Sequence, residues 1–183
     1  MNESQTALRE HIKVMDSFTQ LPPQNEYTYR SMYDFVLDRG EIFDAETALT
    51  KEEKKILAAA CRGRKFELKQ CFYNAQMLVL NDVSGELQYV EGWAHAGIIP
   101  VHHGWVLLGG KVIDLTWRDR KGNSRVGRVT NEYAYLGVPF DKNLVHSRIL
   151  KTGWASSVID DYENAWPVLK WPRINARQSQ QVA

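Results

Sequence analysis

The sequence predicts an α+β fold, with N-terminal helices packed on an antiparallel sheet. Three observations predict it. Apolar residues recur at helical spacing through the first 63 positions. β-rich runs then occupy Glu86 to Trp117, two of them joined by Gly109-Gly110. Helices precede strands instead of alternating with them, which argues against a parallel α/β sheet.

Each element follows in order. Leu8, Ile12, Met15 and Phe18 form a stripe over residues 3–19, and "LPPQ" at 21–24 ends that helix because proline cannot continue it. A second helix is predicted over about residues 27–39, with Met32, Phe35 and Val36 inward and Gly40 closing it. "TKEE" opens a third helix with a capping box, in which Thr50 accepts from the Glu53 backbone and the Glu53 side chain reaches back. This helix runs to Gly63 and carries Cys61 on its apolar face, one turn after Leu57. "RGRK" at 62–65 reads as a solvated, cation-favouring helix end. A fourth helix starts at Cys71 with "CFYNAQMLVL".

"ELQYVEGWA", "VHHGWVLL" and "KVIDLTW" follow as strands, the last two joined as a tight hairpin. "RDRKGNSRVGR" is a polar loop, "EYAYLGVPF" and "VHSRILKTG" return a short strand and a short helix, and "SSVIDDYENAW" reads as helical. Residues 1–172 thus read as one catalytic-type domain: a helical part over 1–63, a core over 64–118 and a C-terminal return over 119–172. Residues 173–183 read as a disordered polar tail.

Composition narrows the function. The chain has 183 residues, 44% hydrophobic and 25% charged, in the range of an ordinary globular domain. Its net charge of +1, from 23 Lys+Arg against 22 Asp+Glu, gives no field suited to nucleic acid or a polybasic membrane contact. No run approaches the ~20 apolar residues of a membrane span, and the start has no signal-peptide core. A cytoplasmic, reducing setting is expected, in which Cys61 and Cys71 stay unpaired. Neither cysteine belongs to a CxxC unit, and the histidines 95, 102 and 103 lack a completing carboxylate or thiol at ligand spacing, so no metal is expected.

The hairpin brings chemistry together. With Gly109 and Gly110 as the turn, Leu108 faces Lys111, Val106 faces Ile113 and Trp105 faces Asp114. Side chains alternate along a strand, so His103, Trp105 and Leu107 share a face with Asp114. His103 is then the diagonal neighbour of Asp114, ~7–8 Å between Cα atoms, and His102 points the other way. A cysteine at a helix start sits near the positive end of the helix dipole, which favours a thiolate. A histidine takes its proton, and an aspartate sets that histidine's tautomer. Backbone N–H groups at the helix start, with Gln70 as a side-chain donor, suit an oxyanion. Asn74 lies one turn on, on the Cys71 face, and suits either a site contact or a structural one. Glu91 shares Trp93's face and suits either a buried or a surface place. Trp93, Trp105 and Trp117 suit either a substrate groove or the core. Taken singly, Cys71 reads as a packed core residue before a nucleophile; the ordered conjunction with His103 and Asp114 reverses that.

In order, "KQCFYNA", "YVEGWA", "HGW" and "VIDLTW" resemble the transglutaminase-like and papain-like cysteine enzyme superfamily, which includes arylamine N-acetyltransferases and some bacterial proteases. The likeness covers about residues 66–118 and extends to small bacterial or phage proteins of this kind. It implies Cys71 as nucleophile, His103 as base and Asp114 as orienting acid, with Gly92-Trp93 matching the Gly-Tyr pair of the middle strand. The chain departs from the pattern in reading "LKQC" before the nucleophile and in its short His-to-Asp interval. Neither a calcium site nor a coenzyme A pocket is matched, so no cofactor is carried over. The implied activity is attack on an amide, ester or thioester of a protein, peptide or small acyl substrate through an acyl-enzyme, as a hydrolase or thiol protease before an acyltransferase. The alternative is a non-catalytic binding or regulatory module on the same fold.

Overall fold

A computed structural model describes residues 1–19, 26–44, 48–95, 99–117 and 133–174. The prolines at 22–23, the loop 118–128 and the tail from 175 lie outside the described residues. The architecture is α+β: five α-helices and a five-stranded antiparallel sheet are described.

Helix α1 (Glu3–Phe18) opens on a capping box in which Asn2 and Gln5 bond each other's backbone N–H at 2.8 and 2.9 Å. Leu8 and Ile12 are buried as expected, but Phe18 is exposed. Asp16 is buried in its stead, because Ser31 Oγ donates to it at 2.6 Å and Arg30 pairs with it. Helix α2 (Met32–Arg39) starts five residues later than the apolar pattern predicts. The backbone N–H groups of Thr28 and Tyr29 are taken by Leu169 O at 2.9 and 3.0 Å, and Ser31 caps the helix. Gly40 ends α2 in extended geometry and leads into β1 (Glu41–Asp44), a strand the sequence reading missed. Helix α3 (Lys51–Cys61) carries the predicted Thr50–Glu53 capping box. Helix α4 (Cys71–Asn81) begins at the cysteine, as predicted.

Strands β2 (Leu87–His95), β3 (Pro100–Leu108) and β4 (Lys111–Ile113) follow, then β5 (Ala134–Phe140) and α5 (Lys142–Thr152). The sheet order is β1-β5-β2-β3-β4. Gly109 and Gly110 have φ of 57° and 76°, the left-handed pair that a tight hairpin turn demands. Their turn sets Leu108 opposite Lys111 and Val106 opposite Ile113, as the sequence predicts. "SSVIDDYENAW" is not a helix: only Tyr162–Asn164 forms a short 3-10 turn. Glu91 binds the N–H groups of Val158 and Ile159 at 2.7 and 3.0 Å, and so holds that segment in another geometry.

The sheet curls into a half-barrel, and its edge strands β1 and β4 approach each other. Its helix-covered face packs Tyr89, Trp93, Val106 and Leu108 against Ala75, Leu78 and Val79 of α4. Phe43, Val90, Trp105, Leu107, Val112 and Tyr135 fill the opposite face. The pleat of β3 therefore presents consecutive residues to two different surroundings. No helix among the described residues is long and apolar enough to cross a membrane.

Candidate active site

Asp114 leaves the ladder directly after Ile113, and a local turn locks it. Its Oδ1 accepts from the backbone N–H of Thr116 at 2.9 Å and of Trp117 at 3.1 Å. Its Oδ2 lies 2.7 Å from His103 Nε2 and accepts from Tyr135 Oη at 3.1 Å. The diagonal contact drawn from the hairpin register is present. His103 and Asp114 are 2% and 4% exposed, so each charge depends on the other. The His103 ring also stacks on Trp117, 4.5 Å between centroids at 19°.

The electrostatics follow from these contacts. Burial alone would lower the His103 pKa. The charge and hydrogen bond of Asp114, then the hydrogen bond and charge of Cys71, outweigh burial and lift the imidazole to about 10. Burial would likewise raise the Asp114 carboxyl, but the charge and hydrogen bond of His103 and the two backbone donors hold it below its usual 3.8. With Nε2 committed to Asp114, Nδ1 is the ring nitrogen left for the Cys71 sulfur.

Cys71 is half-buried at the first position of α4. The chain enters this helix through Lys69, whose φ of 65° is left-handed and costs a non-glycine residue about 1–2 kcal/mol. No side chain caps the helix: Gln70 is exposed and makes no capping bond. Gly104 permits the close approach of this helix start to β3. A Cβ there would lie 3.3 Å from Phe72 Cα, 3.0 Å from Phe72 Cδ1 and 3.2 Å from Tyr89 Oη. The short β4 pairs only with Val106 to Leu108, so it ends before the Gly104 level of β3.

The remaining candidates separate. The Asn74 amide donates to Glu67 O at 2.7 Å and to Thr116 Oγ1 at 2.9 Å, and its oxygen accepts from Glu67 N at 3.1 Å. Both N–H groups are used, so Asn74 ties α4 to the Asp114 turn and does not donate to an oxyanion. Trp93 is 4% exposed and stacks on His102 and Tyr33 at 4.8 and 4.5 Å. Trp105 is 1% exposed, packed on Phe43 and Tyr135. Neither tryptophan walls an open groove; both are core. Cys61 packs against the main core, and burial pushes its thiol up. Both cysteines are free.

Two features were not read from the sequence. Tyr135 reaches Asp114 across the curl of the sheet from β5, which pairs with β1 and β2 and not with β3, so no local spacing marks it. Glu91 and His102 form a second carboxylate–imidazole contact, Oε1 to Nε2 at 3.0 Å, on the helix-covered face. Among the described residues, no group of three or more His, Cys, Asp or Glu is arranged to hold a metal. No family model, curated protein or solved structure matches the chain.

Proposed function

We propose that the protein is a thiol enzyme of papain-like or transglutaminase-like kind, acting on an amide, ester or thioester carbonyl through Cys71, His103 and Asp114. One observation carries this reading: a buried imidazole is bonded by a carboxylate at 2.7 Å on Nε2, and a helix-starting cysteine lies close enough to help raise its proton affinity. A nucleophile relay needs a ring held by a third group on one nitrogen and facing the nucleophile with the other.

The chemistry follows from the geometry. The thiol proton passes to His103 Nδ1, and the sulfur forms a bond to the carbonyl carbon. The protonated ring, held by Asp114, supplies positive charge beside the sulfur. Uncapped N–H groups at the start of α4 stabilise the oxyanion. The bond to the leaving group breaks, and that group departs with the proton from His103. Water, deprotonated by the now neutral imidazole, then attacks the thioester and releases acid and free Cys71. An amine in place of water would give acyl transfer by the same residues. Hydrolysis is favoured because the sequence matches no coenzyme A pocket or other acceptor site.

Labelling by a thiol-directed probe tests the assignment. Cys71→Ala is expected to abolish fast labelling, and Cys61→Ala to leave it intact. Equal labelling of the two single variants would overturn the assignment and favour a non-catalytic binding module.

A further inference from the structure

Glu91 is a buried charge that the proposed chemistry does not use. It has no solvent exposure and shares the helix-covered face of β2 with Tyr89 and Trp93. Burial opposes its charge, but the His102 contact and the hydroxyls of Ser157 and Tyr89 hold its carboxyl below the usual 4.5. Its Oε1 accepts from Ser157 Oγ and from the N–H of Ile159 at 3.0 Å. Its Oε2 accepts from Tyr89 Oη at 2.6 Å and from the N–H of Val158 at 2.7 Å. His102 Nε2 lies 3.0 Å from Oε1.

The start of α4 rests on this polar island. Nothing local fixes that start: no side chain caps it, Gln70 is exposed, and Lys69 leads in with a left-handed φ. Its place is set from outside the helix. Phe72 Cα and Tyr89 Oη both lie against Gly104, 3.3 and 3.2 Å from where a Cβ would be. The Phe72 ring lies 5.0 Å from the His102 ring. One turn on, the Gln76 amide nitrogen donates to Tyr89 Oη at 3.2 Å and to Ser156 O at 2.6 Å. Asn74 ties the same helix to Glu67 and, through Thr116, to the Asp114 turn. Asn74 and Gln76 are 1% and 0% exposed. Two buried amides thus hold α4, one toward the relay acid and one toward Glu91.

We infer that Tyr89 is a positioning residue for the nucleophile: held between Glu91 and Gln76, its hydroxyl sets how the first turn of α4 seats on Gly104, and so how Cys71 approaches His103. The inference rests on the thiol-enzyme reading and deepens it. The ionised Glu91 can only accept, so the Tyr89 O–H points to it and the hydroxyl lone pairs are left for Gln76. The bond to Glu91 alone would satisfy a buried hydroxyl. The second bond reaches α4 itself. Gly104 follows His103 directly in β3, so a change in the seat of α4 changes the separation of sulfur and imidazole. Tyr89 acts through the helix and takes no part in bond making.

A matched pair of variants tests this. Tyr89→Phe and Ser157→Ala each remove one hydroxyl from the same carboxylate, but only the first cuts the link to α4. In a Cys61→Ala background, iodoacetamide reads Cys71 alone. The readout is the alkylation rate at neutral pH divided by the rate at alkaline pH, where a thiol ionises unaided. That quotient reports thiolate formed with the help of His103 and cancels accessibility. It is expected to fall about tenfold in Tyr89→Phe, the low end of what an opposite charge in contact contributes, and to stay native in Ser157→Ala. Melting temperatures are expected to drop alike in the two. Gln76→Met cuts the same link from the helix side and leaves Ser156 O bonded to Arg148 at 3.1 Å, so its quotient is expected to fall as well. It decides the matter where Tyr89→Phe does not fold. Native quotients in Tyr89→Phe and Gln76→Met, or an equal loss in Ser157→Ala, would overturn the inference while leaving the Cys71 assignment intact. A wild-type quotient no higher than that of His103→Ala would overturn both.

Discussion

Replacing Asp114 by Asn changes one atom of the relay and reverses its polarity. In the native protein, Oδ1 accepts two backbone N–H groups and Oδ2 faces His103 and Tyr135. An asparagine keeps its oxygen on the backbone pair, so its NH2 points at His103 Nε2. That nitrogen must then accept, which forces the ring proton onto Nδ1, the side facing the sulfur. A ring protonated there as its neutral tautomer cannot take the thiol proton. The lost charge matters as well. An opposite charge in contact shifts a pKa by about 1–3 units, so the proton affinity of the ring falls about 10- to 1,000-fold. With Asp114's charge gone, its burial favours the neutral ring. In a Cys61→Ala background, the rate of iodoacetamide alkylation at Cys71 is expected to fall about 100-fold at neutral pH, the middle of that range. Loss of a charged hydrogen bond costs about 1.5–3 kcal/mol. At ~2–4 °C per kcal/mol for a domain of this size, the melting temperature falls by about 3–12 °C. An unchanged alkylation rate in a folded Asp114→Asn protein would refute the relay, because the imidazole would then not depend on the carboxylate for its proton.

Two further outcomes follow from the same contacts. Gly104→Ala puts a methyl group 3.0 Å from Phe72 Cδ1 and 3.3 Å from Phe72 Cα, so the start of α4 must lift from β3 by a few tenths of an ångström. Alkylation of Cys71 is expected to slow by about tenfold, with a stability loss of about 1–3 kcal/mol by thermal melting; a variant that melts lower but alkylates at the native rate would separate packing from the relay. The pH dependence of stability has a definite sign at each end. His103 is raised from 6.5 to about 10, so its contribution is complete below pH 6.5 and is lost as pH rises through about 10. Asp114 is held below 3.8, so its contribution is present above that value and is lost as pH falls through its folded pKa. Urea denaturation across the alkaline range is expected to show the first slope in the wild type and not in Asp114→Asn, and equal slopes would count against the pair.

What the sequence made legible was local or symmetric in its cause. Thr50 and Glu53 are three apart, and their capping box forms whatever the rest of the chain does. Two glycines in succession admit the doubly left-handed turn, and that turn sets the register that aligns His103 with Asp114. The misreadings share a different cause. Residues 27–31 and the segment from Ser156 have helical patterns, yet distant groups claim their backbone N–H donors: Leu169 O in one case and the Glu91 carboxylate in the other. Phe18 fits its helical stripe and is exposed, because the neighbouring α2 entrance offers Asp16 a hydroxyl and a guanidinium instead of an apolar surface. Tyr135 meets Asp114 only because the sheet curls, and curl is a property of the assembled strands.

Two consecutive histidines, each with its own buried carboxylate, raise the question of why only one is proposed to serve the sulfur. The answer lies in the period of the strand. Neighbouring residues on β3 point to opposite faces, so one helix start cannot engage both imidazoles in the same way. On the face away from the helices, His103 has Trp117 beside it and almost no exposed surface, and its charge is supported chiefly by Asp114. Breaking a buried pair by removing one partner costs about 3–5 kcal/mol, so the pair behaves as a unit. On the other face, Glu91 is satisfied by four donors besides His102, two hydroxyls and two backbone N–H groups. Its charge does not require the His102 ring, which is the more exposed of the two imidazoles. Both carboxylates have donors besides their histidine, three for Asp114 and four for Glu91, so what divides the two histidines is the face of the strand each occupies.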